Sequence, residues 1–252
     1  QAGPGIAVGD INGDDLEDFI VGGSSFYNAS IFIQDENGRF SQSELIKVNE
    51  KYNEDEGLLL FDADNDKDLD LYVVSGSYEF PAGNERYKDR LYLNDGKGKF
   101  TLSAGLITDE TTSGSCVRAA DFDGDGDLDL FVGGRVITGG YPFSPPSFIL
   151  RNDGGVFTDV TKEICSSLST GGMITDAICT DYDNNGTIDL ITVGEFMSIT
   201  IYKNTGSILT KAEDSGINKY SGWWNSITGA DFDKDGDTDY IVGNLGLNNG
   251  YN

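Results

Sequence analysis

Histidine is absent from all 252 residues. That gap excludes Ser-His-Asp and Cys-His catalysis and any histidine-held zinc or haem. The chemistry that remains must use carboxylates, Tyr, Lys, Arg or an oxygen-liganded metal. Basic residues are scarce, 17 Lys and Arg against 43 Asp and Glu, giving a formal charge of −26 and a pI near 4.1. A nucleic-acid binder needs cations to neutralise phosphates, and an anionic membrane surface asks for the same, so neither is an expected partner. No apolar run approaches the ~18 residues of a membrane span, and membrane insertion is not expected. The chain opens at Gln1 without a signal-peptide pattern, as a mature product or an excised piece would.

Cysteine is also rare, at three, and proline stops at five. Cys179 stands two residues before Asp181, in a column otherwise filled by Val8, Leu60, Ala119 and Gly229, which predicts a small core position and a buried free thiol. Cys116 and Cys165 could pair in an oxidising compartment, and their spacing leaves this open. What is plentiful is glycine, 34 residues, beside 38% hydrophobic and 11% aromatic residues. That composition supports a core with many tight turns, not a disordered acidic tail.

Self-similarity organises the chain. Five segments share one pattern: DINGDDLED from Asp10, DADNDKDLD from Asp62, DFDGDGDLD from Asp121, DYDNNGTID from Asp181 and DFDKDGDTD from Asp231. Their first aspartates lie 52, 59, 60 and 50 residues apart. A short apolar run precedes each segment and a strand-like run follows it (FIVGG, LYVVSG, LFVGG, LITVG, YIVGN). A third run (ASIFIQ, RLYLN, SFILRN, ITIYKN), a turn and a fourth extended stretch come next. Four short strands per unit, with no long stretch of helical periodicity, predict an all-β chain of β-propeller blades without helices. The expected blades are residues 1–52, 53–112, 113–172 and 173–222, with a partial blade at 223–252, all in one region.

Numbered from its first aspartate, each acidic segment carries oxygen side chains at positions 1, 3, 5 and 9. These are Asp10, Asn12, Asp14 and Asp18; Asp62, Asp64, Asp66 and Asp70; Asp121, Asp123, Asp125 and Asp129; Asp181, Asp183, Asn185 and Asp189; Asp231, Asp233, Asp235 and Asp239. Alternate positions of a curled loop converge on one point, and so many hard oxygens suit Ca²⁺ better than Mg²⁺. Up to five ions are expected. Position 6 must turn sharply and holds Gly126, Gly186 and Gly236, but Asp15 and Lys67 in the first two loops. Lysine there should cost ~1 kcal/mol, predicting a strained or weaker second site. An EF-hand needs an acidic ligand at position 12; here that position is Val21, Val73, Val132, Thr192 or Val242. Solvated turns are the plain alternative. Five copies in register, holding eighteen carboxylates at these positions, argue against it, because such clusters repel without a cation.

The pattern φxDφDxDGDxDφφφG followed by LYLNDGKGKF resembles the FG-GAP/VCBS repeat of integrin α-subunit propellers. The opening GPGIAVGDINGDDLEDFIVGG and closing VGNLGLNNGYN are similar to bacterial VCBS repeat-containing, ASPIC/UnbV-type surface proteins. The resemblance implies calcium loops on one rim of a disc and ligand contacts on the other. The opposite rim would be formed by residues 22–30, 75–89, 133–147 and 194–198, with crossovers 42–57, 103–115, 159–173 and 212–226. Candidate ligand contacts there are Tyr78, Phe80, Arg86, Arg135, Tyr141, Phe143, Trp223 and Trp224, since aromatic faces beside Arg suit a carbohydrate or peptide. The Trp pair could equally be packing between blades.

Counting strands gives four whole blades and the inner pair of a fifth. The ring is therefore expected to be completed by the remainder of a longer polypeptide or by another chain. The implied function is a calcium-stabilised, non-enzymatic binding or adhesion module for a glycan or extracellular protein, located extracellularly, at the cell surface or in the periplasm. The alternative is the scaffold of a carbohydrate-active enzyme such as a polysaccharide lyase. Outside the repeated loops the sequence marks no acid pair for it.

Overall fold

The structure, a computed structural model, describes residues 3–46, 51–103 and 110–246. Residues 47–50 and 104–109 of the expected crossovers, and residues 247–252 of the closing motif, lie outside the described residues. The fold is all-β and antiparallel. The first sheet contains β1 (Ile6–Gly9), β2 (Asp18–Val21), β3 (Ser30–Gln34) and β4 (Phe40–Glu44), in that order. The second contains β5 (Glu54–Phe61), β6 (Asp70–Gly76), β7 (Arg90–Leu93) and β8 (Thr101–Leu102). The third contains β9 (Ser113–Ala120), β10 (Asp129–Val136), β11 (Phe148–Asn152) and β12 (Phe157–Asp159).

A fourth, six-stranded sheet contains β13 (Met173–Thr180), β14 (Asp189–Ser198), β15 (Thr200–Asn204), β16 (Leu209–Lys211), β17 (Ser221–Ala230) and β18 (Asp239–Asn244). The far end of β14 pairs with β17, Glu195 opposite Trp223 and Ser198 opposite Ser221, which attaches the last hairpin.

Each acidic segment is the connection between the first and second strands of its unit. The first strands of successive sheets pack against one another, and a separate apolar cluster fills each interface. Ile20, Ile31, Leu71 and Tyr92 lie between sheets one and two; Tyr72, Leu91, Leu130 and Leu150 between two and three; Phe131, Ile149, Leu190 and Tyr202 between three and four. Ile191, Ile201 and Ile227 lie under the last hairpin. A sheet covered on both faces needs apolar residues on both faces of its strands, which is why all seven residues of β6 are buried, whereas β2 alternates.

The expectation of no helices requires a correction. One α-helical turn, α1 (Thr161–Ile164), and 3₁₀ turns at Glu85–Tyr87 and Ser166–Thr170 occupy loops and a crossover. Asp159 accepts the Thr161 N–H (2.9 Å) and starts α1, and Val160, Ile164 and Leu168 enter the third interface. The three cysteines are free thiols, Cys116 and Cys165 buried and Cys179 partly so.

Candidate functional site

All five acidic loops fold alike because their own amides bind their carboxylates. The position 6 N–H donates to the first aspartate: Asp15 to Asp10 at 2.8 Å, Lys67 to Asp62 at 3.0 Å, Gly126 to Asp121 at 3.1 Å, Gly186 to Asp181 at 2.8 Å and Gly236 to Asp231 at 3.2 Å. Position 5 accepts from the N–H of position 7 at 2.8–3.1 Å in every loop. Position 6 is left-handed throughout, φ 65° at Asp15, 78° at Lys67 and 86–99° at the three glycines. Position 4 is left-handed as well, at Gly13, Asn65, Gly124, Asn184 and Lys234, a second turn that the sequence reading overlooked.

The position 9 aspartates are latches. Asp18, Asp70, Asp129 and Asp189 are at most 1% exposed. One oxygen of each accepts the position 2 N–H: Ile11, Ala63, Phe122 and Tyr182, at 2.9–3.1 Å. The other accepts the N–H at the end of the third strand: Gln34, Asn94, Asn152 and Asn204, at 2.6–2.9 Å. In the fifth loop Asp239 accepts only from Phe232 among the described residues.

Carboxylate oxygens converge within 4.8 Å of one another in four loops: Asp62, Asp64 and Asp66; Asp121, Asp123 and Asp129; Asp181, Asp183 and Asp189; Asp231, Asp233 and Asp239. The first loop has Asn12 at position 3 and forms no such triad; the Asn12 amide instead donates to Asp14 at 3.0 Å. Burial pushes Asp70 and Asp129 up to about 6, and burial together with neighbouring aspartates raises Asp64 and Asp123. In Asp10, burial opposes but four backbone N–H groups prevail, holding its carboxyl below the usual range. Asp62 Oδ1 and Asp64 Oδ1 are buried and meet no donor. An orphaned anionic oxygen is costly, and two of them on aspartates whose carboxylates converge fit a bound cation.

The opposite ends of the strands form a different site. Each first strand of units two to five carries one extra residue that breaks its register: Glu56, Ser115, Thr175 and Asn225. A bulge re-aims a side chain, and all four line one cavity with Arg135, Trp223 and Leu245. Ser115 Oγ donates to the Ile174 carbonyl at 2.6 Å and Thr175 Oγ1 to the Trp224 carbonyl at 2.8 Å, stitching neighbouring first strands. Glu56 occupies the same position with a carboxyl that burial pushes up to about 7, against the pull of Arg135.

Beside it, a cavity of about 240 Å³ brings together Tyr78, Arg135, Tyr141 and Trp223 with Glu56 and Glu195. Arg135 pairs with Glu195 at 2.7 Å. Phe196, more than half exposed and held at φ 53°, places its ring 6.3 Å from Tyr141 and 4.9 Å from Trp223. A non-glycine residue at positive φ stores strain that surrounding structure must sustain.

The other predicted contacts lie elsewhere. The Arg86 guanidinium sits over the Tyr52 and Phe80 rings at 4.1 and 4.2 Å. Trp224 donates to the Met197 carbonyl at 3.0 Å and packs under the last hairpin, so the two tryptophans divide between packing and cavity. Phe143 is exposed outside this cavity. Glu56, Glu195 and Phe196 were missed in the sequence, where nothing distinguishes them from other strand residues.

Residues 6–73, 76–132 and 181–242 match the FG-GAP-like repeat. The chain belongs to the FG-GAP-like repeat family. No curated protein matches it. Among solved structures, the chain is similar to the V. cholerae biofilm matrix protein Bap1, at 16% identity and a TM-score of 0.38 over 96% of this chain and 34% of that one. The chain thus spans about a third of the length of that structure. In this FG-GAP-like chain all five acidic loops fall inside the matched stretches.

Proposed function

We propose that the chain is part of a β-propeller, stabilised by up to five Ca²⁺ ions and serving as an extracellular, cell-surface or periplasmic binding and adhesion module. Its ligand is a glycan or an extracellular protein, taken at the end opposite the acidic loops. The observation that carries this reading is the convergence of Tyr78, Tyr141 and Trp223 on Arg135 in one cavity, aromatic faces beside a guanidinium being suited to sugar or peptide. Stacked four-stranded sheets whose first strands adjoin support the propeller. The converging carboxylates and the orphaned Asp62 and Asp64 oxygens support calcium. Such sites fill at extracellular calcium levels, which supports the location.

Both ends of the stack expose apolar side chains, Ile6 (61%) and Val8 (59%) at one and Phe232 (52%) and Ile241 (55%) at the other. We assign these faces to the remainder of a longer polypeptide or to another chain that completes the ring.

One observation favours the alternative, a carbohydrate-active enzyme. Glu56 and Glu195 share the cavity, the first with its carboxyl pushed up to about 7 by burial and the second paired with Arg135, and carboxyls in contrasting environments are how acid and base roles are divided.

The test measures binding of glycans and matrix proteins by the calcium-loaded wild type and by Tyr141→Ala, with turnover of each bound glycan followed in parallel. The binding module predicts a ligand that Tyr141→Ala loses at unchanged melting temperature, with no product. Equal binding by the variant defeats the cavity assignment, and product formation that Glu56→Gln abolishes establishes the enzyme.

A further inference from the structure

Three buried asparagines join the metal loops to one another. Asn94 donates from its backbone to Asp70 of the second loop (2.8 Å), while its side-chain amide donates to the Ile11 carbonyl of the first loop (2.8 Å) and the Leu69 carbonyl of the second (3.2 Å). Asn152 repeats this between loops two and three, reaching Asp129 (2.9 Å), the Ala63 carbonyl (2.9 Å) and the Leu128 carbonyl (3.3 Å). Asn204 repeats it between loops three and four, through Asp189 (2.6 Å), the Phe122 carbonyl (2.8 Å) and the Ile188 carbonyl (3.2 Å). All three are at most 8% exposed.

Each amide therefore holds the residue next to the first aspartate of one loop, while the same asparagine's N–H holds the latching carboxylate of the next. A side-chain amide has two donor hydrogens, and here they are divided between two loops. Among the described residues no asparagine amide reaches the Tyr182 carbonyl, the matching acceptor in loop four, and none donates to Asp239 of loop five from a third strand. Within the described residues the series runs from loop one to loop four.

We infer that Asn94, Asn152 and Asn204 couple the first four metal loops in series, so that filling one loop raises the affinity of the next, while the fifth loop fills independently. This rests on the calcium reading above. When a cation draws in the position 9 carboxylate, the third-strand end moves or stiffens with it, and the amide passes that constraint to the neighbouring loop. Coupling of this kind is a free energy shared by two sites and is reciprocal.

The experiment uses the full chain, stripped of metal and titrated with Ca²⁺, with backbone amide resonances of each loop reporting its own occupancy. Asp66→Ala, which removes the position 5 oxygen altogether, cripples loop two. Its expected effect is a loss of roughly five-fold or more in calcium affinity at loops one and three, with loop five unchanged. Adding Asn94→Ala should abolish the response of loop one while loop three still responds through Asn152. That retained response shows that the double variant is folded.

If Asn94→Ala does not fold, Asp183→Ala decides alone: loop three should weaken and loop five should not. Equal responses of loops three and five, or a loop-one response that survives Asn94→Ala, would overturn the coupling and leave the calcium reading intact. Failure of Ca²⁺ to bind any loop of the wild type would overturn both.

Discussion

At the loop end of the molecule, five segments place the same residue types at the same offsets, and the structure gives them the same hydrogen bonds. At the opposite end a bulge repeats in units two to five, but the residues do not: the residue fourteen places after each first aspartate is Ser24, Gly76, Arg135, Glu195 or Leu245. Repetition follows from local demand, since every loop must satisfy its own amides and carboxylates within nine residues. Variety is free to develop where strands merely end, and it is there that Arg135 and Glu195, equivalent positions of adjacent units, have become an ion pair. Under the proposed function one end carries stability and the other specificity, as sites grafted onto a shared fold do.

The sharpest way to break that comparison is to remove one side chain from each end. Asp129→Ala leaves the buried Phe122 and Asn152 N–H groups without acceptors and removes a carboxylate from the third cluster. With calcium present it should destabilise the chain by about 3 kcal/mol, or roughly 6–12 °C in melting temperature. Arg135→Ala should alter melting by less than half of that, because the partner it abandons, Glu195, lies at a cavity that water can enter. Equal losses in the two variants would mean that the opposite end is structural as well.

The contrast in legibility has the same origin. The loops could be read because each letter answers to a neighbour a few residues away: glycine at Gly126 for a left-handed turn, aspartate at Asp121 for the amides that follow it. Even there, position 4 went unread, since Gly13, Asn65, Gly124, Asn184 and Lys234 look varied until their common φ is seen. The asparagines ending RLYLN, SFILRN and ITIYKN were visible as letters, yet their amides bond to carbonyls 83, 89 and 82 residues earlier. No local rule spans that distance. The cavity was harder still, because Glu56 is aimed by a bulge and meets residues from three other units only after the sheets stack.

Titration separates the two ends. Without metal, burial holds Asp70 and Asp129 up to about 6 and raises Asp189, while Glu56 and Asp89 are pushed up to about 7 by burial. Acids with raised values bind protons more tightly in the folded state, so stability is full below the unfolded values near 4 and falls as pH rises to about 7. Bound Ca²⁺ would keep the loop carboxylates ionised and remove their share of the slope, leaving that of Glu56 and Asp89. Metal-stripped protein is therefore expected to melt lower at pH 7 than at pH 5, and added Ca²⁺ should raise melting more at pH 7. A stripped protein that gains stability between those values would show that the loop carboxylates are not the strained groups.

The smallest expected effect concerns the second loop alone. Lys67 is held at φ 78°, a conformation that costs an L-residue about 1–2 kcal/mol, and it occupies a position where three other loops have glycine. The loop nevertheless contains the two orphaned buried oxygens, so its strain and its demand for a cation coincide. Lys67→Gly relieves the backbone but gives the unfolded chain more freedom, which returns roughly 0.5–1 kcal/mol. The net gain should be under about 1 kcal/mol of stability, while the amide to Asp62 is retained and the loop comes to resemble its third and fourth counterparts. Calorimetric titration of the variant should then show one calcium site tightened by a few-fold and the others unchanged. If that site instead weakens, the lysine contributes through its side chain, and the departure at position 6 is an adaptation of the second loop, not a defect in it.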